Sequence, residues 1–101
     1  MSNKTITLPR LNGLTPTLES TALKLMEETG ELAQQIGNMR RLSGEQLPDS
    51  DQTYHDIARE LLDVAQTAVT MMYVLEEGHN INIDEITTEH IEKLKKKGYI
   101  K

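Results

Sequence analysis

Apolar residues recur every three or four positions over two long stretches of the chain, which is the period of an α-helix. In the first stretch they are Leu18, Ala22, Leu25, Leu32, Ile36 and Met39. Thr15 followed by Pro16 is typical of a helix start, with threonine as the N-cap and proline in the first turn. We therefore predict a first helix over roughly residues 16–42, preceded by an extended or irregular lead-in at residues 1–14.

The second stretch follows a polar segment at residues 43–51, whose glycine and proline are typical of a loop. Its apolar positions are Ile57, Leu61, Val64, Ala65, Ala68, Met72 and Leu75. They predict a second helix over roughly residues 52–77, which Gly78 would end. Asp84 can cap a third, shorter helix that Gly98 would close. The apolar residues of this third helix are Ile86, Ile91 and Leu94.

The composition favours one all-α domain, at residues 15–101. A chain of 101 residues is too short for two independent cores, and 3% aromatic residues suit packed helices better than a sheet. The predicted fold is a long helical hairpin plus a shorter C-terminal helix. The apolar arc of the second helix is too wide for one neighbouring helix, because it also includes Tyr54, Ala58, Leu62 and Val69. We expect oligomerisation to complete a helical bundle, as a homodimer or a dimer of dimers.

Charge and cysteine content exclude several classes of function. The net charge of −5 argues against binding to a nucleic-acid polymer, and the chain has no apolar run of about 18 residues that could span a membrane. The absence of cysteine excludes thiolate metal sites, and with no signal-peptide pattern at the N-terminus it fits a cytoplasmic protein. An acidic protein that handles phosphates needs a cation between the phosphates and its own carboxylates.

Two pairs of acids stand at matching places in the two long helices. Glu28 and Glu31 are three residues apart, and so are Glu60 and Asp63, so each pair lies on one helix face. The first acid of each pair has apolar residues at minus three and plus four, which are Leu25 and Leu32, then Ile57 and Val64. If the helices form an antiparallel hairpin, the four carboxylates converge, and their mutual repulsion favours a bound Mg²⁺ or Mn²⁺.

Each of these features also has a simpler interpretation. Acids three apart on an acidic helix are commonly solvated, and the matching apolar flanks leave the metal site and the solvated surface both open. Lys24 lies one turn before Glu28 and forms either a helix ion pair or a phosphate contact. Glu27 is either exposed or orients a water. The lysines of the last helix form either a solvated helix end or a phosphate-binding face, and they are Lys93, Lys96 and Lys97.

The segments KLMEETGELA at 24–33 and ELLDVA at 60–65 resemble the EExxE…ExxD signature of the MazG-like nucleotide pyrophosphohydrolases, of the all-α NTP pyrophosphatase superfamily. Residues 83–99 resemble the closing helix of that family. The resemblance implies Mg²⁺-dependent hydrolysis of a nucleoside triphosphate to monophosphate and pyrophosphate, by an oligomer built from dimers. It also implies that the metal ligands are Glu28, Glu31, Glu60 and Asp63. Glu28 would be catalytic as well, and Glu27 beside it is the leading acid of the signature.

One departure from the family pattern concerns substrate choice. Family members often carry Lys-Asn in the last helix, whereas here Lys93 is followed by Leu94. Phosphate contacts from the lysines survive this change, and a sugar or base contact from the asparagine does not. Two alternatives therefore stay open: a phosphoribosyl-ATP pyrophosphohydrolase, and a non-catalytic module that binds nucleotides or only dimerises. Whether the physiological role is the removal of aberrant nucleotides also stays open.

Overall fold

Three α-helices make up the regular structure of the protein. A computed structural model describes residues 2–40 and 50–101, and in these ranges it contains α1 (Leu18–Met39), α2 (Asp51–His79), α3 (Ile83–Lys96) and no strand. The all-α prediction is therefore confirmed. Within the described ranges, no helix has the length and apolar character needed to cross a membrane.

The first helix starts two residues later and ends three residues earlier than predicted. Thr17, not Thr15, is the N-cap: its hydroxyl accepts a hydrogen bond from the Ser20 N–H at 3.0 Å, and the Ser20 hydroxyl accepts one from the Thr17 N–H at 2.8 Å. This reciprocal capping box satisfies two backbone donors, which a cap at Thr15 would leave without partners. The helix ends at Met39, and most of the predicted 43–51 loop lies outside the described residues.

The second helix is longer than predicted at both ends. Ser50 is its N-cap, and the helix continues through Gly78 to His79. Asn80 provides the stop instead, in the left-handed conformation with φ 55°, which asparagine tolerates better than most residues. The N–H of Ile81 then bonds the Leu75 carbonyl at 3.2 Å. The glycine at 78 was a misleading signal because a helix can include glycine at modest cost.

The third helix is capped by Asn82 rather than by Asp84. The Asn82 side chain accepts a hydrogen bond from the Glu85 N–H at 3.1 Å, and Asp84 lies in the first turn, where its charge is favourable to the helix dipole. Gly98 closes the helix as predicted, with φ 78° in the region that glycine adopts without strain.

The helices α1 and α2 form an antiparallel hairpin, in which the start of α1 lies beside the end of α2. Thr21 and Thr70, both buried, line the same cavity between them. By contrast, α3 barely contacts the hairpin and has no buried residue among those described. Met39 is the one hydrophobic side chain that is buried in the described parts of the chain, while Leu23 and Met26 stay about 70% exposed. One chain therefore leaves much of its apolar surface uncovered.

The lead-in runs along α2 without regular structure. The side-chain amide of Gln66 donates a hydrogen bond to the Pro9 carbonyl at 3.0 Å. The guanidinium of Arg10 binds the carboxylate of Glu77 through Nε at 2.8 Å and Nη2 at 2.9 Å. These two attachments hold residues 9–16 against the hairpin, beside the start of α1.

Candidate active site

Three acids from the two long helices converge in the hairpin. Glu28 of α1 and Glu60 and Asp63 of α2 each place one carboxylate oxygen within 4.8 Å of the other two. We call these three residues the acidic cluster. The cluster forms because a three-residue spacing puts Glu60 and Asp63 on one face of α2, and the hairpin brings that face against Glu28.

The cluster lies partly out of water. The side chain of Glu28 is 8% exposed, that of Glu60 is half-buried, and Asp63 is exposed. Glu28 Oε2 and Glu60 Oε1 are buried oxygens that accept no hydrogen bond from the described residues. Buried carboxylate oxygens without partners are costly, and a cation removes that cost. An all-oxygen set of this kind fits a hard divalent cation such as Mg²⁺ or Mn²⁺.

The carboxyl groups of Glu28 and Glu60 are close together, and their pKa values are shifted in opposite directions. The neighbouring Glu28 carboxylate, burial and the nearby Glu31 carboxylate raise the pKa of Glu60 from 4.5 to about 7. The pKa of Glu28 is lowered instead, first by the Lys24 ammonium 3.0 Å away and then by the interaction with Glu60. Protonation of Glu60 thus relieves the repulsion between two crowded carboxyl groups. A divalent cation would take over this neutralising role.

Lys24 is the cation that the chain itself supplies to the cluster. Its Nζ lies 3.0 Å from Glu28 Oε1 and 3.8 Å from Glu27 Oε1. The hydrogen bond to Glu28 raises the pKa of Lys24 further, so the ammonium stays charged. Glu27 is exposed and lies outside the cluster, with Lys24 as its ion-pair partner.

Glu31 and the basic residues of α3 lie outside the acidic cluster. Glu31 is exposed and does not belong to the set within 4.8 Å, although its carboxylate is near enough to raise the pKa of Glu60. Lys93, Lys96 and Lys97 line a groove on α3, together with Thr88, Glu89 and Glu92, and no cluster residue contributes to the described lining of that groove. Within one chain, the structure does not bring these lysines to the acids.

A cavity of about 680 Å³ begins at the cluster, and sequence reasoning missed the residues that extend it. Lys24, Glu28 and Asp63 line one end. The remaining lining comes from the first turn of α1, from the lead-in and from α2, and it includes Leu11, Leu14, Thr21, Gln66, Thr67 and Thr70. A signal existed for α2, because positions three, four and seven after Asp63 share its helix face. No sequence signal marked the lead-in.

Comparison with known proteins agrees with this geometry. The family model of the MazG nucleotide pyrophosphohydrolase domain matches residues 16–98, which include the whole acidic cluster. The resemblance noted from the two motifs is thereby confirmed. Neither the curated proteins nor the solved structures give a match.

Proposed function

Because the chain belongs to the MazG nucleotide pyrophosphohydrolase family, we propose that it hydrolyses nucleoside or deoxynucleoside triphosphates to the monophosphate and pyrophosphate, with Mg²⁺ as the cofactor. Mn²⁺ is the alternative ion. One observation carries the proposal: three carboxylates of two helices lie within 4.8 Å of one another, at the end of a cavity of about 680 Å³. Cavities of roughly 300–1,000 Å³ are the usual size for small-molecule sites.

The proposed roles follow from position. Glu28, Glu60 and Asp63 would hold the cation, with Glu31 as a fourth ligand at the edge of the cluster. The bound cation supplies charge neutralisation for the phosphates and lowers the pKa of an attacking water. Glu27 would orient that water; its position beside Glu28 and outside the ligand set supports this role. Lys24 would turn from Glu28 to a phosphate oxygen once the cation neutralises the cluster.

We assign Lys93, Lys96 and Lys97 to the phosphate tail of the substrate, reached from a second copy of the chain. Two observations support this assignment: α3 barely contacts its own hairpin, and the hairpin leaves large apolar side chains exposed. A homodimer or a dimer of dimers would cover this surface and bring α3 of one subunit to the acids of the other.

A pyrophosphate-release screen tests the activity. The substrates are the NTPs, the dNTPs, oxidised and methylated analogues, and phosphoribosyl-ATP, each with Mg²⁺ and with a chelator. The parent should release pyrophosphate with Mg²⁺ alone, and Glu28→Gln and Glu60→Gln should abolish release without changing the helix content measured by circular dichroism. Asp56→Asn, which removes an exposed ion pair with Arg59 on the same helix, is the control and should retain activity.

The result of this screen decides between the alternatives. Release from phosphoribosyl-ATP alone would identify that enzyme instead. Mg²⁺-dependent binding of nucleotides without release from any substrate would identify a non-catalytic module. Turnover by the Glu60→Gln variant at the parental rate would remove the cluster from the reaction.

Subunit mixing tests the assignment of the lysines. The Glu60→Gln chain and the Lys93→Gln/Lys96→Gln chain are refolded together, so that mixed dimers contain one site with both intact halves. Random pairing should restore about a quarter of the parental activity, because half of the dimers are mixed and each has one intact site of two. No recovery on mixing, or a monomer in sedimentation at micromolar concentration, would refute the shared site.

A further inference from the structure

The lead-in forms a strap, residues 9–16, that is held on the hairpin by polar attachments rather than by close packing. Pro9 accepts the hydrogen bond from Gln66, and Arg10 makes the two-pronged ion pair with Glu77. Glu77 lies 11 residues after Gln66, so about three turns of α2 separate the two attachments on one face. A second cavity of about 330 Å³ lies along the strap, next to this ion pair and Tyr73. Side chains therefore do not fill the space between the strap and α2.

The strap forms one wall of the larger cavity. Leu11, Leu14 and Pro16 supply apolar surface there, and Leu14 is 66% exposed although it lines the cavity. All three belong to residues 9–16, and only Pro16 lies inside the region that the family model matches, which starts at residue 16. Leu11 and Leu14 therefore lie outside the matched residues.

The two long helices supply hydrogen-bond acceptors to the cavity lining. The Thr21 hydroxyl donates to the Thr17 carbonyl at 2.8 Å, and the Thr67 hydroxyl donates to the Asp63 carbonyl at 2.9 Å. Because these hydroxyl protons are already engaged, the two oxygens can face a ligand only as acceptors. They suit groups that donate, such as sugar hydroxyls or the exocyclic amino groups of bases.

Charge divides the cavity into two halves. Lys24 and the two cluster acids Glu28 and Asp63 occupy one end, and the remaining lining carries no ionised side chain in the described residues. A nucleotide has the same division, with its charge on the phosphates and an uncharged sugar and base. This division favours an orientation with the phosphates at the cluster and the sugar and base against the strap and the threonines.

We infer that the cavity beneath the strap binds the nucleoside half of the substrate, and that the Arg10–Glu77 ion pair is a positioning device that holds Leu11 and Leu14 as its wall. This inference rests on the proposed function. Both partners of the pair are about half exposed, so the pair adds little to folding stability. Its two parallel hydrogen bonds fix the geometry of the strap instead.

The test compares the two products as inhibitors, because only one of them contains a nucleoside. The variants are Arg10→Gln, Glu77→Gln, the double variant and Leu14→Ala, with Asp56→Asn as a matched control that removes another exposed arginine–carboxylate pair. In each strap variant, the KM of the substrate and the inhibition constant of the nucleoside monophosphate should rise about tenfold. The inhibition constant of inorganic pyrophosphate should stay within about twofold of the parent. The double variant should be no worse than either single one, since both remove the same interaction.

Three results would overturn the inference: parental KM and monophosphate inhibition in all strap variants, an equal loss of pyrophosphate inhibition, or the same change in Asp56→Asn.

Calorimetric binding of nucleoside monophosphates with Mg²⁺ separates this inference from the proposed function. If the parent releases no pyrophosphate but binds a monophosphate about tenfold more tightly than Glu77→Gln does, the proposed function fails and the nucleoside site stands. If the parent is active and the strap variants bind the monophosphate as tightly as the parent, the proposed function stands and the nucleoside site fails.

Discussion

The metal-free protein should lose stability as the pH rises from 5 to 8, and Glu60→Gln should abolish this pH dependence. In the folded protein the pKa of Glu60 is about 7, raised from its ordinary value of 4.5 by Glu28, burial and Glu31. Folding therefore takes up a proton in this window. The stabilisation is fully present below about pH 4.5 and is lost as the pH rises through about 7.

The size of the effect follows from the two pKa values. At pH 6 a carboxyl group with a pKa of about 7 is mostly protonated and one with a pKa of 4.5 is mostly ionised, so folding binds about 0.9 of a proton. The other shifted groups titrate outside the window. The pKa values of Glu28 and Glu77 are lowered from 4.5, and those of Lys24 and Arg10 are raised from 10.5 and 12.5.

The assay is urea unfolding in a chelator at several pH values and one fixed protein concentration, since dissociation of an oligomer would otherwise change the apparent stability. The slope of the unfolding free energy against pH gives the proton number. The parent and Asp56→Asn should both show the uptake. Glu60→Gln should lose it, and so should the parent in saturating Mg²⁺, because the ion displaces the proton. A flat profile for the metal-free parent, or the same slope in Glu60→Gln, would refute the raised pKa of Glu60.

Three further substitutions test other contacts. Lys24→Gln should leave Mg²⁺ affinity equal to or higher than that of the parent in calorimetry, because it removes a positive charge 3.0 Å from Glu28; weaker binding would contradict this. Thr17→Ala should cost about 1 kcal/mol of unfolding free energy, since it removes the capping box of α1, and an unchanged thermal midpoint would count against the cap. Lys93→Gln with Lys96→Gln should lower kcat/KM roughly tenfold without changing metal affinity, whereas kinetics within about twofold would make these lysines a solvated helix end.

The helices and the acidic pairs were predictable because both depend on local spacing. A three-residue separation places Glu60 and Asp63 on one face of any helix, and the apolar flanks of Glu28 predicted its burial. The difference between Glu31 and Asp63 was not predictable. Both are the outer acid of a pair, and the register of the hairpin decides that Asp63 joins the cluster while Glu31 stays at its edge.

The exact helix ends and the course of the lead-in could not be predicted from residue spacing. Thr15 and Thr17 are equally good caps by residue type, and the choice is made by Ser20, which completes a capping box only with Thr17. The course of the lead-in depends on Arg10 meeting Glu77, which is 67 residues away in the chain. No local pattern encodes a contact of that range.

The short link around Asn80 makes α3 a unit that could be replaced as a whole. The helix has its own start signal in Asn82 and its own stop in Gly98. Within one chain it barely contacts the hairpin, so the hairpin adds little to its stability. A helix from a relative could therefore be spliced in after Asn80 without refitting the acidic cluster. In evolutionary terms, recombination at this junction would change the charge that α3 carries while the acidic cluster of the hairpin is inherited intact.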